Sequence, residues 1–134
     1  MTDAERERRW SMAQEHYQAG RLCSANSFYG ASATRSYYAV YQAMWVAVGD
    51  PPLGRWRHHG LMHQFCWGQW TEPPSLPTTL GSYRHRLRAL YDHRTDADYT
   101  ARAISQTEAN DGLNLARDIL ALVARAKGLP FTLS

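Results

Sequence analysis

Five of the six histidines and six of the arginines (Arg55, Arg57, Arg84, Arg86, Arg88 and Arg94) lie between residues 55 and 94, with only Glu72 and Asp92 against them. That segment has a local net charge of +4, and the remainder of the chain has −1. Guanidinium groups bind phosphate in bidentate fashion, and imidazole holds or releases a proton near neutral pH. Together they could bind a phosphodiester and, with a correctly placed histidine, cleave it. Arg84 and Arg88 are one helical turn apart, and His93 follows one to two turns on. A solvated basic face would have the same composition, so charge alone leaves both readings open.

Other constellations point less sharply. His59, His63 and Cys66 fall at i, i+4 and i+7, a geometry zinc can use, yet no fourth ligand follows at a recognisable spacing. A structural histidine face with Cys66 as a small buried hydrophobe is the reading adopted, and no metal or other cofactor is expected. Five tryptophans and eight tyrosines could stack on bases, but at helical spacing they read first as core or dimer interface. Trp56, flanked by Arg55 and Arg57, is the exception. No Gly-rich phosphate loop and no Ser-His-Asp or Cys-His order is present. Arg35 sits on a stripe that otherwise reads as buried, so it needs a partner; Asp98 is the expected one.

The elements that must position these residues are helical. Thr2 and Glu5 form a capping-box spacing for a helix over about Ala4–Ala19, with Gly20 as its stop. Ala33, Tyr37, Val40, Tyr41, Met44 and Val48 recur at three and four, giving a second helix that ends before Gly49-Asp50-Pro51-Pro52. A third helix fits Trp56–Trp70, closed by a loop that continues to Pro77, and a fourth fits Leu80–His93. Ser105 and Glu108 cap a last helix, with Leu113, Ala116, Leu120 and Val123 on one stripe and Gly128 and Pro130 after it. No segment alternates with period two. The expected fold is all-α, an antiparallel four- to five-helix bundle in a single domain.

With 134 residues and 44% hydrophobic content the chain can build a real core. No apolar run reaches bilayer length and no secretory leader precedes the first helix, so a cytoplasmic protein away from membranes is expected. Cys23 and Cys66 read as reduced thiols. The aromatic-rich helices carry more apolar surface than one small bundle is expected to hide, which predicts a homodimer.

Two stretches carry a family resemblance. Ser32–Ala43, with Arg35, the adjacent Tyr37 and Tyr38 and its small residues, is similar to a helix of the small stand-alone bacterial members of the HEPN family. Leu90–Tyr99, with Arg94, Ala97, Asp98 and Tyr99, resembles that subfamily's Leu-Tyr…Arg-x-x-Ala-Asp-Tyr signature. Between them, His59-Gly60-Leu61 followed by Phe65 is similar to its third helix. The resemblance covers about residues 10–125 and implies a dimerising helical bundle in a toxin–antitoxin or defence setting, with a nucleotidyltransferase as possible partner and RNA as possible ligand.

Many HEPN proteins are metal-independent ribonucleases with an Arg-x(4–6)-His motif. Four pairs fit that spacing: Arg9–His16, Arg57–His63, Arg86–His93 and Arg88–His93. Two registers stay open. In one, Arg88 and His93 are the catalytic pair, and Arg84, Arg86 and Arg94 contact RNA. In the other, Arg94 is the signature arginine, five positions before Tyr99 rather than a histidine. Arg35, Asp98 and Tyr99 are then structural or partner-facing, and nuclease chemistry is lost or altered.

Overall fold

The computed structural model describes residues 1–74 and 80–131, so the predicted loop around Pro77 lies outside the described residues. These residues form an all-α bundle of five helices: α1 (Asp3–Ala25), α2 (Tyr29–Val48), α3 (His58–Trp67), α4 (Arg84–Tyr99) and α5 (Gln106–Lys127). Helix α2 is the hub and packs against each of the other four. None of the helices is long and apolar enough to cross a membrane, among the described residues.

Both capping boxes form. Glu5 N–H donates to Thr2 Oγ1 at 3.1 Å and Thr2 N–H returns to Glu5 Oε2 at 3.2 Å; Ser105 and Glu108 do the same for α5 at 3.1 and 3.0 Å. Gly20, expected to end the first helix, instead lies inside it. A Cβ there would stand 3.2 Å from Leu113 Cδ2 and 3.3 Å from Ser36 Oγ, and the Gly20 carbonyl accepts the Ser32 hydroxyl at 2.9 Å. Close approach of α1, α2 and α5, not termination, is what requires glycine here. The helix ends five residues later, at Ala25, in a Schellman arrangement. Phe28 N–H bonds Cys23 O at 2.8 Å, Ser27 N–H bonds Ser24 O at 3.0 Å, and Ser27 takes φ +64°.

Two other boundaries move. Helix α3 is shorter than expected, because Gly68 adopts a left-handed φ of +80° and ends it. Trp56 stays in the preceding loop, and Trp70 folds back so that its Nε1 donates to Phe65 O at 2.9 Å. Helix α4 begins at Arg84 and continues past His93 to Tyr99. Arg94 extends the buried stripe of Leu87 and Leu90, and its i,i+4 partner Asp98 lies within the same helix.

The core is shared by all five helices and includes Trp10, Tyr37, Met44, Phe65, Leu87 and Leu120. Most of the large aromatics are therefore packed within one chain. Leu22, Phe28, Leu53, Trp67 and Tyr99 remain exposed. Both cysteines are free thiols, Cys66 buried and Cys23 half-buried.

Candidate functional site

Two tyrosines of α2, Tyr37 and Tyr38, meet Tyr99 around Arg94, and Tyr41, Tyr91 and the start of α3 pack beside Tyr37. The Arg94 guanidinium is buried, donates to Tyr38 Oη at 2.7 Å, and places Nε 3.2 Å from Asp98 Oδ2. Its centre lies 5.3 Å from the Tyr38 ring and 5.5 Å from those of Tyr37 and Tyr99. Asp98 also accepts the Thr34 hydroxyl at 2.7 Å. Burial works against the charge on Arg94, but the Tyr38 hydrogen bond and Asp98 outweigh it, and its pKa rises. Arg94 is thus a fixed cation in an aromatic cage.

His58 opens α3 and packs against the rings of Tyr37, Tyr41 and Tyr91, with centroids 5.3–5.4 Å away. Its Nδ1 is hydrogen-bonded to the Tyr37 hydroxyl. Burial lowers the His58 pKa, and Arg94, His59 and Arg55 lower it further, so the ring is neutral at neutral pH. Burial pushes the Tyr37 phenol far above its ordinary value, so it stays protonated. With the Tyr37 O–H as donor, the imidazole hydrogen sits on Nε2 and can be given to a phosphate oxygen. In the other tautomer Nε2 is a free base.

The loop before α3 is pinned from two sides. Tyr41 O–H donates to Trp56 O at 2.7 Å, and Trp56 Nε1 donates to Gly49 O at 2.7 Å. The half-buried indole thereby rims a groove of about 660 Å³ with Tyr38, Tyr41, Arg55, Arg57 and His58. Arg57 is the N-cap of α3 in extended backbone, and its side chain makes no capping bond. Among the described residues the first amides of α3 therefore lack a side-chain cap at the positive end of the helix dipole. His59 and Gly60 complete the described lining with Tyr91, and none of these residues is acidic. Arg55 and Arg57 are exposed and form no ion pair among the described residues.

A second groove, about 320 Å³, runs between α3 and α4. It is lined by His59, Met62, His63, Arg84 and Arg88 and shares His59 with the first. Arg84 and Arg88 are exposed and likewise carry no carboxylate partner among the described residues. His63 stacks on Trp67 and His59 packs on Tyr91. No group of three metal-ligating side chains converges among the described residues.

The other side of α4 is different. His93 Nε2 lies 3.0 Å from Glu108 Oε2, and Glu108 is gripped by Arg102 at 3.1 and 2.8 Å while capping α5. Arg86 pairs with Asp118 at 3.0 Å. His93 and Arg86 line a third cavity of about 250 Å³, against α5, together with His85 and Gly112. Arg88 and His93 are five residues apart, roughly 140° around a helix. They line different cavities, and the structure does not bring them together as a pair.

Arg35 corrects another expectation. It is exposed, with Nη1 3.2 Å from His16 Nδ1, and the arginine held by Asp98 is Arg94. Tyr99 is 72% exposed, with its ring over Arg94. His58, which the motif spacings do not single out, stands at the centre of the cluster. Its signal was position, as the first residue of a helix that follows Arg55-Trp56-Arg57 opposite the Tyr37–Tyr41 turn of α2. No protein-family model and no curated protein matches this chain.

Proposed function

We propose that this protein is a HEPN-like module that binds RNA or nucleotides, with the Trp56–His58 groove as the binding site. The observation that carries this reading is the lining itself, aromatic and cationic with no carboxylate and with Arg55 and Arg57 unpaired among the described residues. Arg55, Arg57 and the first amides of α3 would take phosphate, and Trp56 would take a base, stacking being worth about 1–3 kcal/mol per base. Titrating single-stranded RNA while following tryptophan emission tests it. Arg55→Ala/Arg57→Ala is expected to weaken binding at least tenfold, and added salt to weaken it steeply. Binding indifferent to both would exclude the groove.

Cleavage is the second reading, favoured by one observation: a neutral His58 hydrogen-bonded to a protonated tyrosine beside a buried arginine. His58 Nε2 would act at the ribose 2′-hydroxyl, replacing His93 in the role that motif spacing gave it. Cleavage in EDTA that disappears in His58→Ala and persists in His93→Ala is the expected pattern. The HEPN resemblance adds a homodimer and a nucleotidyltransferase partner in a toxin–antitoxin or defence module. Light scattering and co-purification with the product of a neighbouring gene test those two.

A further inference from the structure

We infer that the α3–α4 groove is a second phosphate subsite continuous with the first, so that the ligand is a single-stranded oligonucleotide rather than a mononucleotide. The inference rests on the binding reading above and extends it along the molecule. The two grooves share His59, which makes them neighbouring parts of one surface. In the second, His59 and His63 stand one turn apart on α3, and Arg84 and Arg88 stand one turn apart on α4. Arg84 and Arg88 both line the groove with His59 and His63, which places them on the α3 side of α4.

Among the described residues neither lining contains a carboxylate. Asp92, one turn beyond Arg88, is exposed and lines neither groove. Four arginines without acid partners among the described residues thus flank one path, Arg55 and Arg57 at one end, Arg84 and Arg88 at the other. Elsewhere in the bundle Arg86, Arg94 and Arg102 each have a carboxylate within 3.2 Å. Aromatic surface is concentrated in the first groove, where Trp56, Tyr38, Tyr41 and Tyr91 stand, and among the described residues the second has Met62 as its only apolar lining residue. A base therefore fits the first subsite, and a backbone phosphate fits the second, whose contacts would carry charge but no base information.

The test measures octauridylate and 5′-UMP binding to the full chain at several salt concentrations, with UMP followed into the millimolar range. Arg84→Ala/Arg88→Ala is expected to weaken octauridylate at least tenfold and to leave UMP within twofold. The slope of log K against log salt should shrink by about 1.4, since two phosphates are no longer neutralised and each accounts for about 0.7. Both residues are exposed, and an unchanged melting temperature verifies the fold. Arg8→Ala/Arg125→Ala, a charge-matched change at exposed positions elsewhere, is expected to leave octauridylate binding within twofold.

If octauridylate ignores Arg84 and Arg88 but loses affinity in Arg55→Ala/Arg57→Ala, the second subsite is overturned and the first groove stands. Equal losses for UMP and octauridylate, or an equal loss in the Arg8/Arg125 control, also overturn it. Poly-glutamate that competes as well as octauridylate would overturn the nucleic-acid assignment in favour of an acidic protein. No binding of UMP or octauridylate to the parent chain would overturn the proposed function itself.

Discussion

Helix α4 presents two faces built from the same residue types to opposite effect. Toward α5, Arg86 meets Asp118, and His93 meets Glu108, which Arg102 also holds. Toward α3, Arg84 and Arg88 meet histidines, a methionine and solvent, with no acid among the described residues. The difference lies in the neighbouring helix. Helix α5 offers Glu108, Asp111 and Asp118, whereas α3 from His58 to Trp67 has no acidic residue. A cation that the fold has already neutralised holds helices together, and one left without a partner keeps its charge for a ligand.

The largest effect that would sharpen this contrast is on stability. Arg94→Met removes a buried cation that binds Tyr38 and Asp98, and leaves both groups without it. A loss of about 3 kcal/mol is expected in urea denaturation. Arg88→Ala, at an exposed unpaired position, should stay within about 0.5 kcal/mol. Equal losses for the two would erase the distinction between structural and available arginines.

Next in size is the α5 side. Arg102 and the Ser105 amide hold the Glu108 carboxyl at about 2, below its ordinary 4.5. Its folded pKa is lowered, so its contribution is complete above the ordinary carboxyl range and is lost as pH falls from about 5 toward 2. The side chains of Arg102 and Glu108 are 45% and 24% exposed, so solvent screening leaves about 1 kcal/mol. Glu108→Gln can still cap α5, since glutamine serves at that position. It should lower stability at pH 7 by about 1 kcal/mol and flatten the acid limb of the stability curve. An unchanged acid limb would remove Glu108 from the network that fixes His93.

How much of this was legible follows from the range of each interaction. The capping boxes at Thr2–Glu5 and Ser105–Glu108 are local, and their residues name the helix starts directly. Gly20 has two local meanings, stop or close approach, and only the packing of Leu113 and Ser36 against it decides. Arg35 and Arg94 show the same limit at the site. Both adjoin apolar stripes, but Arg35 turns out toward His16 while Arg94 continues the Leu87–Leu90 face into the core. The spacing of Leu87, Leu90 and Arg94 contained that answer, hidden by ending the helix at His93, one residue short of Arg94. The Arg88–His93 pairing is a different case: five residues on one helix set the two side chains about 140° apart, so a motif spacing that joins them in sequence leaves them facing different cavities.

The smallest effect tests whether His58 is held neutral on the α3 side. Burial is the main cause of its lowered pKa, with Arg94, His59 and Arg55 adding to it. A histidine whose folded pKa is lowered binds fewer protons folded than unfolded. Stability is then complete above the ordinary value near 6.5 and declines as pH falls below it. This window lies above that of Glu108, so the two can be separated in one pH series. His58 is half-buried, and screening reduces the expected loss between pH 7.5 and 5.5 to a few tenths of a kcal/mol. His58→Gln cannot take up a proton but can still hydrogen-bond Tyr37, so it should remove that slope while leaving stability at pH 7.5 nearly unchanged. In the parent, acid that protonates His58 adds positive charge to the first groove, so RNA affinity should rise as pH falls from 7.5 to 5.5. In His58→Gln that rise should be smaller. A parent and variant with the same pH slope in both stability and RNA affinity would show that the fold does not hold this imidazole neutral, and the cleavage reading would lose its base.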